Sequence, residues 1–148
     1  MTLDGLIFPD DLLYLVEHDV WARPGAGAGA GGEVTVGITA LGIRLSGEIY
    51  MCRPKPVGSD IAQGRAVAVV ELAKAIVSVK SAVSGRVVAV NPRLADEPEL
   101  IHRDPYGAGW IARLQWLAPD ADRALLLDAE AARPALEQHA RSFGDGDR

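Results

Sequence analysis

The segment Val69-Val70-Glu71-Leu72-Ala73-Lys74-Ala75 places a lone lysine between two short apolar runs, residues 66–70 and 76–79. Both runs have the length and the β-branched content of strands. The sequence therefore predicts a β-hairpin with Lys74 at its tip. A long amine costs little to expose there, and the hairpin around it is otherwise apolar. We expect Lys74 to be presented to another molecule.

The rest of the chain predicts a mainly β fold with a C-terminal helix. Short apolar runs that alternate with turn residues are typical of a β-sandwich or barrel. Residues 67–70 and 87–90 are apolar on both faces, which predicts strands that are buried on both faces. One helix is expected over residues 120–141, bent or broken at Pro134. Further strands are expected at residues 21–23, 33–38, 48–53, 85–90 and 109–117.

A chain of 148 residues suits one domain and is long enough to bury a core. We expect residues 1–11 to form an N-terminal leader and residues 12–141 to form the folded domain, including its C-terminal helix. Residues 142–148 are expected to be a disordered tail, because they are short, polar and rich in glycine and aspartate.

Composition excludes several classes of function. The chain has 15 basic and 20 acidic residues, a net charge of −5, which argues against a general binder of nucleic acid or anionic membranes. Cys52 is the only cysteine, so neither an internal disulfide nor a multi-cysteine zinc site is possible. The chain shows no secretory signal and no membrane-spanning run, so the reducing cytoplasm is the expected compartment. His18, His102 and His139 lack metal-ligand spacing and are expected on the surface.

A glycine-rich segment, residues 27–32, formally satisfies the dinucleotide-binding pattern G-x-G-x-x-G. That pattern needs a strand before the glycines and a helix after them. Residues 33–38 follow here and have the pattern of a strand, with Val34, Val36 and Ile38 on one face. We therefore interpret residues 27–32 as a hairpin loop and exclude a Rossmann site.

Four parts of the chain resemble, in the same order, parts of one known family, the glycine cleavage system H protein. Together they cover roughly residues 13–136, and four motifs in order are far more specific than one. The resemblance implies a flattened β-sandwich, a lipoyl-domain-like barrel-sandwich hybrid, with the lysine hairpin at one end. The parts are residues 33–39 (E-V-T-V-G-I-T), 69–75 with 82–91 (V-V-E-L-A-K-A and A-V-S-G-R-V-V-A-V-N), 98–111 (P-E-L, then D-P-Y-G-A-G-W-I) and 127–131 (L-D-A-E-A).

The resemblance implies that Lys74 carries lipoate through an amide. In the family, the lipoylating enzymes read an acid three residues before the lysine and glycines sixteen before and eleven after it. Glu71, Gly58 and Gly85 occupy these positions, and such glycines would permit the tight turns that shape the hairpin. The alternative is that Lys74 is an ordinary solvated turn lysine. Lys80 lies only five residues before Gly85, so we interpret it as an outward-facing lysine on the return strand.

The resemblance also implies a non-catalytic carrier in glycine cleavage. The arm would accept an aminomethyl group at a pyridoxal-phosphate glycine decarboxylase, pass on its carbon at an aminomethyltransferase, and be reoxidised at dihydrolipoyl dehydrogenase. A lipoate ligase or an octanoyltransferase would attach the arm. The protein would supply reach and orientation, and the cofactor would supply the chemistry. We expect a monomer that binds no nucleic acid, membrane or metal, and the sequence shows no convergent nucleophile and base.

Two positions bear on the cargo of the arm. The segment Glu17-His18-Asp19-Val20-Trp21 resembles the family's H-E-W with one residue inserted, which makes Asp19 the candidate for an acid near the docked arm. Ser78 stands four residues after the lysine, where the family has an aspartate that helps to hold the loaded arm. A serine can hydrogen-bond an amine but brings no charge to pair with it.

The missing aspartate leaves the cargo open. Residues 54–58, P-K-P-V-G, also resemble H-like lipoate-binding proteins that serve heterodisulfide-reductase-like complexes in sulfur oxidation. A carrier of sulfur intermediates is therefore the alternative. An unmodified interaction module is a third possibility, from another class of protein.

Overall fold

The structure, a computed structural model, describes residues 1–25 and 29–146, with side chains described as far as residue 142. Its strands are β1 Thr2–Leu3, β2 Leu6–Ile7, β3 Leu13–Leu15, β4 Val20–Pro24, β5 Glu33–Ile38, β6 Met51–Pro54, β7 Asp60–Ile61, β8 Ala66–Glu71, β9 Ile76–Lys80, β10 Gly85–Val90, β11 Ala112–Trp116 and β12 Leu127–Asp128. Its α-helices are α1 Ala40–Ser46, α2 Leu100–Arg103, α3 Pro119–Arg123 and α4 Ala129–Gly146, and 3-10 turns lie at Val16–His18 and Pro92–Ala95.

Two antiparallel sheets form the body of the protein. One has seven strands in the order β12-β3-β4-β5-β11-β10-β7, and the other has three in the order β6-β8-β9. Apolar side chains of both sheets meet in one buried cluster, and each fully buried aliphatic side chain stabilises it by roughly 1.5–3 kcal/mol. This is the flattened, lipoyl-domain-like sandwich that the sequence predicts. The cluster includes Val34, Val36 and Leu114 from the larger sheet and Cys52, Val70 and Val79 from the smaller one.

The opposite face of β3 and β4 is covered by α4 and by the N-terminal residues. Because successive residues of a strand face opposite sides, Val20 and Ala22 join the main cluster while Trp21 joins a second one. Residues 1–11, expected as a leader, form the β1–β2 hairpin and bury Phe8 completely in that second cluster. Its other buried members are Leu12, Tyr14, Leu41, Ala129, Ala132 and Leu136.

The prediction of a single helix over residues 120–141 is wrong. Helix α3 ends at Arg123, β12 pairs with β3, and only then does α4 begin. The cause is Asp122, which is buried and accepts hydrogen bonds from the Ser84 N–H at 2.6 Å and the Trp116 indole N–H at 2.8 Å. These bonds fix α3 to the sandwich. The helix therefore ends there, and the chain continues to the edge of β3, where it forms β12.

Helix α4 begins and ends later in the chain than the predicted helix. The Asp128 side chain accepts a 2.8 Å hydrogen bond from the Ala131 N–H at the start of the helix, as an N-cap residue does. The helix passes through Pro134 and ends at Gly146. It therefore includes residues 142–146 of the segment expected to be a disordered tail, while residues 147–148 lie outside the described part of the chain.

Three predicted strands differ in extent or burial. The strand expected over residues 48–53 starts at Met51 and includes Pro54, which is tolerated because β6 is an edge strand. The strand expected over residues 109–117 is shortened to β11. Val88 is 37% exposed, so β10 is not buried on both faces. An antiparallel sheet can keep one face in solvent, and Arg86 and Val88 lie on that face.

The glycine-rich segment connects β4 to β5, which form an antiparallel hairpin. The Gly25 N–H donates a 2.9 Å hydrogen bond to the Glu33 carbonyl oxygen across it. A strand therefore follows the glycines, where a dinucleotide site needs a helix. Residues 26–28, of which 27 and 28 belong to the pattern, lie outside the described residues. Over residues 1–25 and 29–146, none of the helices has the length and hydrophobicity to cross a membrane.

Candidate functional site

Lys74 lies in the loop that joins β8 to β9. The register pairs Val70 with Val77 and Glu71 with Ile76, and the Leu72 N–H then donates a 2.8 Å hydrogen bond to the Ala75 carbonyl oxygen. Only Ala73 and Lys74 remain outside this ladder, and both are exposed. The predicted hairpin is confirmed, and the amine of Lys74 is mounted on a two-residue loop.

Glu71 and Lys80 occupy different ends of the same hairpin. Glu71 is half-buried at the end of β8, and its carbonyl oxygen accepts a 2.9 Å hydrogen bond from the Tyr50 N–H, so its backbone is fixed between β6 and β9. Lys80 is half-buried at the end of β9, opposite Ala66, on the return strand. Lys74, and not Lys80, lies at the loop.

The two glycines predicted as recognition residues differ in what requires them. Gly58 is exposed in a turn with φ of +96°, a conformation that side-chain-bearing residues rarely adopt. Gly85 is buried at the start of β10, not in a turn, and a Cβ there would collide with the Gln115 carbonyl oxygen and lie 3.1 Å from the Leu114 Cβ. The expectation that both glycines shape the lysine hairpin is wrong: Gly85 is the first residue of β10 in the larger sheet, and the Gly58 N–H donates a 2.8 Å hydrogen bond to the Val87 carbonyl oxygen of that strand.

A cavity of about 290 Å³ opens beside the lysine hairpin. It lies between β8, β9, α1 and the 3-10 turn at Val16–His18. Its wall begins at Leu72, two residues from Lys74 and so at most about 7 Å along the chain. Ile38 and Leu45 are among its many apolar lining residues. Asp19 and Ser78, which the sequence proposes separately as cargo contacts, line this same cavity.

Asp19 is the acidic side chain among the residues that line the cavity. Burial raises the pKa of its carboxyl group, and the charge and hydrogen bond of His139 and the charge of His18 oppose that rise without cancelling it. Asp19 ends the 3-10 turn with φ of +59°, a left-handed conformation that aspartate tolerates better than most residues. The turn is what directs this carboxylate to the cavity wall.

His139 is the residue that the sequence interpretation missed. It is not a surface histidine: its Nε2 lies 2.9 Å from Asp19 Oδ1, and it is 15% exposed. Its position three residues after the buried Leu136 was a usable signal, because residues three or four apart share a helix face. His102 is not a free surface residue either, since its Nε2 accepts a 3.0 Å hydrogen bond from the Ile49 N–H.

The sequence and structure have known counterparts. Residues 12–139 match the family model of the glycine cleavage H-protein. The chain is 37% identical over 135 residues to glycine cleavage system H protein 2 of Aquifex aeolicus, covering 91% of this chain and 81% of that protein. It is 40% identical over 129 residues to the glycine cleavage system H protein of Cronobacter sakazakii, covering 87% and 95% of the two chains.

The fold is also similar to a solved structure, a glycine cleavage system H protein from Mycobacterium marinum. The TM-score is 0.72 at 32% sequence identity, with 86% of this chain and 98% of that chain covered. The class of protein is a lipoyl carrier with a β-rich fold. The chain belongs to the glycine cleavage H-protein family, whose members are carrier components that interact with the glycine cleavage enzymes.

Proposed function

We propose that this chain carries lipoate as an amide on Lys74 and serves as the aminomethyl carrier of glycine cleavage. The observation that supports this best is an exposed lysine on a short, hydrogen-bonded loop. Residues on both sides of that loop, Leu72 before it and Val77 after it, line a cavity. Over the described residues, the Lys74 amine is in no ion pair. It is therefore open to an enzyme that forms the amide.

The lining of the cavity suits a lipoyl group. Leu72, Leu45 and Ile38 offer an apolar wall to an aliphatic chain and its ring, and burial of apolar surface favours such docking by roughly 25 cal/mol per Å². When bound, lipoate would supply a disulfide in which one sulfur can accept a one-carbon group while the other becomes a thiol. The hairpin would hold the attachment point in one place relative to the cavity.

The polar residues of the cavity suit a cationic cargo. The Asp19 carboxylate would pair with the ammonium of an aminomethyl group, and the Ser78 hydroxyl would accept a hydrogen bond from it. The apolar wall would exclude water, which strengthens a charge pair because the local dielectric constant falls. The carboxylate would thus protect the cargo, and the chain itself would catalyse no step.

Glu71, Gly58 and Gly85 are proposed as the residues that a lipoate ligase or an octanoyltransferase reads. Glu71 lies on the hairpin itself, and the glycines hold β10 and the turn before β7 in shape. The proposed partners of the loaded arm are the pyridoxal-phosphate glycine decarboxylase, the aminomethyltransferase and dihydrolipoyl dehydrogenase. A carrier of sulfur intermediates is the second candidate, favoured by the uncharged Ser78 in the cavity wall.

The test is loading from glycine. The lipoylated protein, with its arm in the oxidised disulfide form, is incubated with glycine and a purified pyridoxal-phosphate glycine decarboxylase, and intact mass is recorded. We expect the mass increment of an aminomethyl group on the parent and none on Lys74→Arg, the matched control that keeps the positive charge but lacks the arm. A fully lipoylated parent that no such decarboxylase loads would reject glycine cleavage and favour the sulfur carrier.

A further inference from the structure

Helix α4 contacts Asp19, a residue of the proposed cargo cavity, through His139. The His139 Nε2 lies 2.9 Å from Asp19 Oδ1, and the two side chains are 15% and 23% exposed. A carboxylate has two acceptor oxygens, so this bond leaves Oδ2 for a further donor. The C-terminal helix therefore contacts the back of the acidic side chain that lines the cavity.

The main chain of Asp19 is fixed independently of His139. Its N–H donates to the Val16 carbonyl oxygen at 3.1 Å, and its own carbonyl oxygen accepts from the Thr39 N–H at 2.9 Å. Gly42 of α1 packs so closely that a Cβ on it would lie 2.6 Å from the Asp19 Cβ. The main-chain bonds leave the side-chain torsions of Asp19 unrestricted. The hydrogen bond to His139 restricts those torsions.

His139 also opposes the electrostatic cost of burying Asp19. Burial favours the neutral acid, whereas the charge and the hydrogen bond of His139 favour the carboxylate. His18, on the same 3-10 turn, adds a smaller effect in the same direction. Gly42 from α1 and Ser78 from β9 bring no charge to this part of the wall. The ionised state of Asp19 thus depends mainly on a residue of α4.

We propose that His139 is a positioning residue of the cargo site: it holds the Asp19 carboxylate, oriented and ionised, at the cavity wall, where Ser78 supplies no charge. This role rests on the proposed function, because the cavity is taken to receive a cationic cargo. His139 contacts Asp19 and not the cargo. The negative charge that retains the cargo therefore comes from Asp19, supported by α4, and not from the lysine hairpin.

The first test needs no cofactor. In the full-length, unmodified protein, the carboxyl carbon of Asp19 is followed by NMR as pH is varied. We expect His139→Ala to move the Asp19 midpoint up by about one pH unit, and His139→Gln, which keeps an N–H donor, to move it less. Gln138→Ala, on the same helix but exposed, is the control and should leave the midpoint in place. An unmoved midpoint in a folded His139→Ala protein overturns the inference.

The second test uses the aminomethyl-loaded protein. We expect His139→Ala to shorten the lifetime of the loaded form by about fivefold, the equivalent of roughly 1 kcal/mol. His139→Gln should recover part of that loss, and Gln138→Ala should lose nothing. If the midpoint moves but lifetimes are equal, His139 positions Asp19 without serving the cargo, and the proposal is overturned. If even the parent cannot be loaded, the glycine-derived cargo is rejected, while the NMR titration still reports on the His139–Asp19 contact.

Discussion

The Leu72 N–H and the Ala75 carbonyl oxygen are joined by a 2.8 Å hydrogen bond, which closes the loop that carries Lys74. The bond extends the β8–β9 ladder to Leu72, two residues before the lysine, and to Ala75, the residue directly after it. The Lys74 side chain is exposed, while the loop that carries it is closed by this backbone hydrogen bond. A carrier needs both properties, since a mobile tip would not present the amine in one geometry.

Glu71→Ala should slow lipoylation without unfolding the protein. The half-buried Glu71 ends β8, and the backbone bond to the Tyr50 N–H does not depend on its side chain. We expect the initial rate of modification by a purified ligase, measured by intact mass, to fall about tenfold. Glu130→Ala, an exposed acid on α4, is the matched control and should be modified like the parent. Equal rates for Glu71→Ala and the parent would remove the recognition role.

Gly85→Ala should destabilise the fold by about 1–3 kcal/mol, because its Cβ would meet the backbone of Gln115 in the adjacent strand. Gly58→Ala should cost about 1 kcal/mol, for a different reason: its surroundings are open, but its φ is +96°. Urea denaturation of both variants measures these losses. A Gly85→Ala protein as stable as the parent would show that β10 and β11 can separate slightly, and the packing account would be wrong.

The lysine hairpin and the sandwich could be predicted because their signals are local. Two β-branched runs flank a single exposed lysine, and strands alternate with turn residues along the chain. The C-terminal region could not be predicted in the same way. Its break after Arg123 depends on the bonds from Ser84 and Trp116 to Asp122, residues that are near one another only in the folded chain.

The candidate site was predictable in its parts but not in its assembly. Asp19 and Ser78 each came from comparison with a motif, and nothing in the sequence shows that both line one cavity. His139 was missed because a lone histidine on a polar helix is usually a surface residue. The long-range pairing of His139 with Asp19 is set by the packing of α4 on the second apolar cluster.

Asp19→Asn should change the pH dependence of stability. A carboxyl group whose pKa is raised by burial stabilises the fold fully below its ordinary pKa of 3.8, and that contribution is lost as pH rises through the folded pKa. Asparagine does not titrate and tolerates the left-handed φ of position 19. We expect the free energy of unfolding, variant minus parent, to rise as pH increases above the ordinary pKa of 3.8.

The measurement is urea denaturation at each pH. The comparison is repeated in the His139→Gln background, where the rise should be larger, because the His139 charge that favours the Asp19 carboxylate is removed. A difference between variant and parent that stays constant with pH in both backgrounds would contradict the raised pKa of Asp19.

Ser78→Asp should strengthen the proposed cargo site. A carboxylate added to the cavity wall would pair with the cationic cargo and contribute about 1 kcal/mol in this exposed position. We expect spontaneous loss of the aminomethyl group, followed by intact mass, to slow about fivefold. Ser78→Asn, similar in size but neutral, is the control. If Asp and Asn behave alike, position 78 does not face the cargo, and Asp19 alone serves it.

The central claim is tested most directly by locating the lipoyl group. The chain is produced in cells able to lipoylate, digested, and mapped by peptide mass spectrometry. We expect the lipoyl increment on Lys74 and none on Lys80. Lys74→Arg should carry no increment. Its free energy of unfolding should lie within about 0.5 kcal/mol of the parent's, because an exposed loop residue contributes little to folding. An adduct on Lys80, or an unmodified Lys74 in such cells, would contradict the account.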